Sequence, residues 1–180
     1  MILLLTGTPG TGKTTVSKLL ALKLGAKLVA VNELVEEKKL YSGQDPEREY
    51  KIADIPALTH QMGLIMEEYG LNETWLIFEG HLSHYYSPAD LVVVLRASPQ
   101  TLTQRLNKRE WKSSKVSENV EAEALDICAW ESLDIHGKKA QEIDTTSIMP
   151  EDVVEVIIGM INGENVSPVG GVSFLDQMDF

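Results

Sequence analysis

The residues from Gly7 to Thr14 carry the strongest chemical signal in the chain. They read GTPGTGKT, a complete G-x-x-x-x-G-K-[ST] pattern between an apolar run and a helix-like segment. Glycines at these points let backbone N–H groups turn toward a phosphate, and the following helix N-terminus favours negative charge. The Lys13 ammonium adds charge near the β and γ phosphates, and the Thr14 hydroxyl is a ligand for Mg²⁺. The motif predicts binding of a nucleoside triphosphate with Mg²⁺.

A second group of reactive side chains follows the apolar run WLIF. Glu79 comes directly after this run, and His81 lies two residues further on. In an open α/β sheet, ligands bind beyond the carboxyl ends of the strands, so Glu79 is placed to hold the metal ion or its water shell. The simpler alternatives are a strand-end acid in solvent and a histidine with a structural hydrogen bond. His84 is a weaker candidate for an active role.

Basic side chains cluster in the second half of the chain. Six of the sixteen fall between positions 96 and 115, where Glu110 is the only acid: Arg96, Arg105, Lys108, Arg109, Lys112 and Lys115. A mobile basic segment over the phosphates would neutralise charge in the transition state and exclude water. The segment NKREWKSSK is therefore predicted to be a lid, and the alternative is a solvated helix face.

Apolar runs alternate with helix-like segments along the chain. The runs ILLLTG, KLVAV, WLIF and LVVVL are short and continuously apolar, and AQEID is a shorter candidate strand. Strands that are apolar on both faces and separated by helices are typical of a parallel sheet covered on both sides. We predict a three-layer α/β domain of the P-loop NTPase type over residues 1–162, with a five-stranded parallel sheet.

Capping residues and turn residues set the expected boundaries of the helices. Asn32 is expected to cap a helix through ELVEEKKLY, and the polar stretch SGQDPEREYK to be weakly structured. Gly70 is expected to end the next helix, and Ser98 to cap another with a proline behind it. One long helix is predicted from about Ser117, and Pro150 begins the last helix.

Composition restricts the class of protein. The 180 residues carry a formal net charge of -11, which argues against non-specific binding to nucleic acid. The single cysteine, Cys128, fits a reducing compartment. The opening MILLLTG is too short for a membrane span and lacks the basic residues of a signal peptide. We expect a protein without a membrane segment, located in the cytoplasm or, in a eukaryote, the nucleus.

The order of these motifs resembles that of the adenylate kinase-like P-loop proteins. The shared features are the P-loop, an insert after the second strand, an acid-ended third strand, and an R-L-x-x-R segment from Arg105 to Arg109. More narrowly, LLLTGTPGTGKTT, VLRA, QRLNKREW and the pair Glu79 and His81 are similar to the adenylate kinase-like ATPases of archaea and eukaryotic nuclei. Those ATPases act in maturation of the small ribosomal subunit, and the resemblance covers about residues 1 to 160.

The resemblance implies a set of activities and ligands. It implies adenylate kinase activity of broad specificity, ATP hydrolysis, and the use of ATP, ADP and Mg²⁺. It also implies that an insert at about residues 30–53 binds AMP or another nucleoside monophosphate, and that residues 108–118 form the lid. Transient binding of a small-subunit ribosomal protein and of the pre-ribosome is implied as well.

The resemblance also assigns roles to individual residues. The nucleotide-binding set would be Gly10, Gly12, Lys13, Thr14, Thr15, Arg105 and Arg109. Thr14 and Glu79 would hold the metal. Lys13, Glu79, His81 and Arg109 would form the catalytic set, with His81 positioning water.

The chain departs from the family pattern at the acceptor side. Glu79 stands where the family usually has aspartate, and neither NELVEEKKL nor EGHLSHYY contains the arginine that clamps the acceptor phosphate in ordinary adenylate kinases. Arg48 and Lys51 are candidate substitutes. Without such a clamp, water becomes an alternative acceptor. An ATP-gated binding module with little turnover and a kinase for small metabolites or nucleosides stay open as alternatives.

The stretch from Gly163 to Phe180 stands outside this pattern. Its glycines and Pro168 argue against a helix, yet several of its residues are apolar. It is expected to be either a flexible tail or an extended segment that packs on a partner or on the edge of the sheet.

Overall fold

The computed structural model describes residues 1–45, 50–69 and 75–177. Arg48, proposed above as an acceptor clamp, lies outside the described residues. So do Gly70, expected to end a helix, and the apolar tail residues Met178 and Phe180.

Five short strands form one parallel sheet, as predicted. Their bounds are β1 (Ile2–Thr6), β2 (Lys27–Ala30), β5 (Leu76–Glu79), β6 (Leu91–Arg96) and β7 (Ala140–Asp144). The strand order is β2-β5-β1-β6-β7, so β1 lies at the centre, paired in parallel with β5 and β6. This order places the ends of β1, β5 and β6 side by side. The P-loop, Glu79 and the start of the basic segment therefore meet at one edge of the sheet.

Seven helices accompany the sheet in the described part of the chain. Their bounds are α1 (Lys13–Leu24), α2 (Val31–Lys38), α3 (Ile55–Tyr69), α4 (Pro99–Asn107), α5 (Ser113–Ala124), α6 (Ile127–His136) and α7 (Pro150–Ile161). None of the helices among the described residues is long and apolar enough to cross a membrane.

The two faces of the sheet have separate cores, which makes the domain three-layered. Leu3 and Leu5 of β1 pack with residues of α1 and α7 on one face. Leu4, whose side chain points to the opposite face, packs with residues of α2 and α3. All three leucines are fully buried. The alternation follows from the period of two along a strand, and burial of both faces explains the continuous apolar run.

The insert after β2 differs from the prediction in two ways. Asn32 does not cap a helix, because α2 begins directly at Val31 and Asn32 lies inside it. The stretch expected to be weakly structured, residues 42–51, overlaps two antiparallel strands, β3 (Tyr41–Gln44) and β4 (Lys51–Ala53). These strands are short and mostly exposed, so they lack the apolar alternation by which a strand is recognised in a sequence.

The region after the lid also differs from the prediction. In place of one long helix from about Ser117, the chain forms α5 and α6, and α5 begins at Ser113 inside the predicted lid. The helices are separated at Asp126, whose φ of 58° is left-handed and cannot continue an α-helix. Ser98, by contrast, caps α4 as predicted, with its hydroxyl accepting from the Thr101 N–H.

The tail packs against the edge of its own sheet. Pro168 forms an antiparallel bridge with Gln141 of β7, and the Glu142 N–H donates to the Ser167 carbonyl at 2.9 Å. Further along, Phe174 is only 4% exposed. The flexible alternative is therefore wrong for residues 167–174, and the extended segment on the sheet edge is correct.

Candidate functional site

The P-loop leaves β1 and turns tightly across the sheet edge. Gly7 has a φ of 127°, and a Cβ on it would lie 2.2 Å from the carbonyl oxygen of Leu95 in β6. No other residue fits that position without moving the neighbouring strand. Gly12, also left-handed with a φ of 104°, precedes the first turn of α1. The turn therefore places Lys13 and Thr14 at the N-terminus of α1, where backbone N–H groups favour an anion.

Lys13 folds back onto the P-loop. Its ammonium donates to the Gly7 carbonyl at 2.7 Å and to the Thr8 carbonyl at 3.0 Å. Burial lowers the pKa of Lys13 to about 8, opposed by the nearby charge of Glu79 and Glu123. A phosphate would supply the negative charge that these carbonyls only partly replace, so Lys13 is arranged to bind one.

Thr14 and Glu79 meet at the mouth of the P-loop. The Thr14 hydroxyl donates to Glu79 Oε1 at 3.2 Å, and Glu79 is 7% exposed. A hydroxyl and a carboxylate are oxygen ligands that suit Mg²⁺, which usually takes one or two protein ligands and completes its shell with phosphates and water. The described residues contain no group of three acidic, histidine or cysteine side chains that would hold a metal by themselves. This pair therefore fits a metal that arrives with a nucleotide.

His81 lies beside this pair with one nitrogen unsatisfied. Its Nδ1 atom is buried and makes no hydrogen bond to the described residues. Burial is the main cause that lowers the pKa of His81 to about 4, and the charges of Lys13, His84 and Lys115 add to the effect. The imidazole is therefore neutral at pH 7. In the tautomer with its proton on Nε2, Nδ1 has a lone pair that can accept a hydrogen bond from a donor brought close to it.

His84, the weaker candidate, has a structural role. Its Nδ1 lies 2.9 Å from the Thr6 hydroxyl at the end of β1, and its Nε2 lies 3.1 Å from Glu131 Oε2 of α6. Burial lowers the pKa of His84, and Glu131 opposes the shift. Both ring nitrogens are occupied, so His84 connects α6 to the strand that precedes the P-loop.

One cavity of about 650 Å³ joins the P-loop, the insert and the lid. Its lining includes eight of the residues assigned above: Gly10, Gly12, Lys13, Thr14, Thr15, Glu79, His81 and Arg109. It also includes residues for which the sequence predicts no role in binding or catalysis, among them Asn32, Tyr41, Tyr50, Trp111 and Asn119. Those five have ordinary polar or aromatic character, and no motif in the sequence marks them. Their roles follow from the packing of the insert and the lid over the P-loop.

Arg105 and Arg109 lie on the other side of the P-loop. Both line a second cavity of about 290 Å³ that also includes Gly12 and Thr15. The Arg105 guanidinium donates to the Gly10 carbonyl at 3.3 Å and to the Thr145 carbonyl at 3.1 Å. Arg105 therefore supports the P-loop from behind, whereas Arg109 borders both cavities and its charge contributes to the lowered pKa of Lys13.

Arg96, one of the six clustered basic residues of the sequence, is buried and does not line the cavity. It is 1% exposed, and its guanidinium donates to Glu123 at 2.7 Å, to Glu142 at 2.9 Å and to Asp126. Burial opposes its charge, but the carboxylates of Glu123 and Asp126 raise the pKa of Arg96 above its ordinary value. A buried arginine requires such partners, and α5 and β7 supply them.

Glu123 connects this buried cluster to the P-loop. Its carboxylate accepts from the Thr8 hydroxyl and, at 3.1 Å, from the Ala97 N–H. Sequence reasoning missed Glu123 because Thr8 and Glu123 are 115 residues apart, and no local pattern indicates the contact.

A P-loop, an acid on the neighbouring strand, an insert and a basic lid around one cavity define a P-loop kinase-like protein. The model of a family described as an AAA domain matches residues 3–126. Archaeal relatives described as "Putative adenylate kinase" are similar over nearly the whole chain. The protein from Methanothermobacter thermautotrophicus is 42% identical over 94% of this chain and 95% of its own length. The one from Pyrococcus furiosus is 41% identical over 97% and 91%. The chain belongs to the same protein family as these archaeal relatives.

Solved structures agree on the fold. Shikimate kinase from Acinetobacter baumannii superposes with a TM-score of 0.61 over 91% of this chain and 94% of its own, at 17% sequence identity. At this sequence identity, the likeness concerns the fold and not the substrate. The likeness shows a P-loop kinase fold, in agreement with the prediction.

Proposed function

We propose that the protein is an adenylate kinase-like phosphotransferase that transfers the γ-phosphoryl group of ATP to AMP or a similar nucleoside monophosphate. The observation that carries the proposal is the single cavity shared by Lys13, the Thr14–Glu79 pair, Arg109 of the lid, and Tyr41 and Lys51 of the insert. A nucleoside triphosphate occupies the P-loop end, and the insert supplies space for a second nucleotide. The names of the archaeal relatives support the same reaction.

Different residues of this chain bind the donor phosphates and balance their charge. The P-loop N–H groups and Lys13 bind the donor phosphates, and Arg109 balances charge from the lid. Mg²⁺, held by Thr14 and Glu79, supplies further charge neutralisation when bound. An acceptor phosphate oxygen forms the new bond to the γ-phosphorus. The bond between the γ-phosphorus and the β–γ bridging oxygen breaks, and its electrons stay on that oxygen, which becomes part of the β-phosphate of the product ADP. Positioning and electrostatics therefore account for most of the catalysis.

The proposal is tested by measuring ADP formation from ATP and Mg²⁺ with and without AMP. We expect AMP to increase ADP formation severalfold, and we expect Lys13→Met to abolish the reaction because the donor phosphates lose their buried cation. If AMP leaves the rate unchanged at every concentration, the kinase proposal is wrong.

Hydrolysis of ATP is the second candidate activity, and the unpartnered Nδ1 of His81 favours it. A neutral histidine beside the metal-side acid is suited to orienting a water molecule for attack. We expect His81→Ala to reduce AMP-independent hydrolysis about a hundredfold, within the range of general acid–base contributions, while the Kd for ATP changes much less. Unchanged hydrolysis in this variant would exclude the role. His60→Ala, an exposed change on α3, is the matched control.

The remaining hypotheses predict different results in the same assays. An ATP-gated binding module would bind ATP tightly and show neither reaction, and a small-metabolite or nucleoside kinase would require an acceptor other than a nucleotide. A role in maturation of the small ribosomal subunit stays a prediction from the resemblance. It is tested by asking whether ATP changes the amount of small-subunit ribosomal protein that purifies with this chain.

A further inference from the structure

The acceptor end of the cavity has to hold a doubly charged phosphate. Four cationic side chains among the described residues line this cavity: Lys13, Lys51, Arg109 and Lys115. A monophosphate acceptor has to be held in line with the donor phosphate, and positive charge is the usual means. The question is which of the four is available for that phosphate.

Two of these cations serve the donor side. Lys13 is bound to the P-loop carbonyls of Gly7 and Thr8. Arg109 lines the main cavity together with Lys13 and also borders the second cavity behind the P-loop. Both are therefore placed for the triphosphate.

Lys51 is already neutralised within the insert. Its ammonium forms a salt bridge with Glu36 at 3.2 Å and contacts the Tyr41 hydroxyl at 3.3 Å. Its side chain is 55% exposed, so water also solvates the charge. A phosphate would have to compete with Glu36 for Lys51.

Lys115 is held differently, by aromatic faces. Its ammonium lies 4.0 Å from the ring centroid of Trp111 in the lid and 5.4 Å from that of Tyr50 beside β4. Aromatic faces attract a cation without cancelling its charge. The contacts also join the lid to the insert. Lys115 thus keeps its charge at the place where these two elements meet.

Lys115 also faces the reactive side of the cavity. It lines the same cavity as Thr14, Glu79 and His81. Because its aromatic contacts join the lid to the insert, Lys115 is on the side of the cavity that the insert borders, where the proposed acceptor binds.

We propose that Lys115 binds the phosphate of the nucleoside monophosphate acceptor, while Trp111 and Tyr50 hold the ammonium in place between the lid and the insert. The inference rests on the proposed kinase function, because it names the acceptor-binding residue of the same cavity. It assigns to a lid lysine the task for which the insert and the residues after β5 offer no arginine among the described residues.

The test compares Lys115→Met with Lys115→Arg and Lys108→Met. The methionine keeps most of the side-chain length and removes the charge, and the arginine restores the charge. Lys108 is an exposed lid lysine that does not line the cavity, so its replacement controls for the change in net charge. Thermal unfolding of each variant shows whether the fold is intact.

Two measurements decide the inference. We expect Lys115→Met to raise the KM for AMP about tenfold or more and the KM for ATP less than threefold, because one charge-assisted hydrogen bond to the acceptor is lost. We expect Lys115→Arg to recover most of the loss and Lys108→Met to behave as the wild type. In direct titrations, Lys115→Met should weaken AMP binding and leave adenosine binding unchanged, because adenosine has no phosphate.

The outcomes separate this inference from the kinase proposal. If the wild type forms ADP from AMP and Lys115→Met has an unchanged KM for AMP, the inference is wrong and the kinase function is supported. If the wild type binds AMP in preference to adenosine, Lys115→Met loses this preference, and the wild type shows no turnover, the inference is supported and the kinase function is contradicted. Equal affinity of the wild type for AMP and adenosine overturns the inference.

Discussion

At the scale of single residues, His81 is the most informative side chain of the site. A buried polar atom without a hydrogen bond costs free energy, usually about 1–3 kcal/mol, and is rare in folded proteins. Nδ1 of His81 is such an atom, and the His81 residue lines the main cavity together with Glu79. The free energy is recovered when a ligand or an ordered water donates to Nδ1. The atom is therefore a marker of binding that is independent of the P-loop motif.

The lowered pKa of His81 makes a prediction about stability and pH. The folded protein holds this imidazole neutral down to about pH 4, whereas the unfolded chain protonates it near 6.5. Between these values the unfolded state binds more protons, so the His81 contribution to the free energy of unfolding falls as the pH drops from 6.5 to 4. We expect the wild type to lose on the order of 2 kcal/mol more than His81→Gln over this range. Denaturant unfolding of both at several pH values measures the difference, and parallel curves would contradict the shift.

Residues also show where sequence reasoning succeeds and where it fails. The contact between Thr14 and Glu79 follows from a motif and a strand end, and the structure brings the two within 3.2 Å. Arg96 is counted in the basic cluster of the sequence, yet it is buried with Glu123 and Glu142, which come from elements far along the chain. Local spacing reveals phosphate-binding motifs, but it does not reveal which charges a fold encloses.

At the scale of elements, the turn after β5 fixes the site against the insert. Gly80 separates Glu79 from His81 and has a φ of 155°, and a Cβ on it would lie 2.9 Å from Cβ of Val31 at the start of α2. This close approach allows α2 to pack directly over the end of β5. The acid, the histidine and the insert are thus positioned together by one glycine.

This packing predicts the effect of Gly80→Ala. The added methyl group has to displace α2 or the turn, so we expect a loss of about 2 kcal/mol or more in stability and at least a tenfold fall in kcat. Gly137→Ala is the control, because its φ of 57° is also left-handed but its Cβ would meet no atom within 4 Å. It should cost about 1 kcal/mol and leave kcat unchanged. Similar kcat losses in both variants would show that Gly80 has no special role.

The elements were predictable to different degrees for physical reasons. The three inner strands of the parallel sheet, β1, β5 and β6, are buried on both faces, so each is a run of apolar residues that can be recognised alone. The edge strands β2 and β7 are only partly buried, and β7 contains three polar residues. β3 and β4 were missed because they are mostly exposed and bury little apolar surface. The break between α5 and α6 was missed because a left-handed Asp126 interrupts a sequence that is otherwise suited to a helix.

At the scale of the whole molecule, a buried polar network joins the tail to the P-loop. Glu142 of β7 accepts from the N–H groups of Gly170 at 2.9 Å and Val172 at 2.8 Å, and it also accepts from Arg96. Arg96 binds Glu123, which in turn accepts from the Thr8 hydroxyl. The chain between Ser167 and Phe174 is therefore part of the support of the nucleotide site.

Phe174 tests this connection. Its ring centroid lies 5.5 Å from the Arg96 guanidinium, and the side chain is 4% exposed. We expect Phe174→Ala to lower the free energy of unfolding by about 3 kcal/mol, because a buried aromatic side chain is lost. We also expect it to raise the KM for ATP severalfold, because water reaches Arg96 and Glu123. Leu175→Ala is the control, since Leu175 is 47% exposed. An unchanged KM for ATP in a destabilised Phe174→Ala would limit the tail to packing.

The same network has a consequence for synthesis. Ribosomes make proteins from the N-terminus, and domains fold as units once their residues are available. Thr8 and the P-loop are made before any other part of the site, whereas the N–H groups of Gly170 and Val172 that complete the shell of Glu142 follow after the last strand of the sheet. Until the tail is made, Glu142 lacks these two donors. We therefore expect full affinity for ATP to be acquired late, after the tail has joined the edge of the sheet.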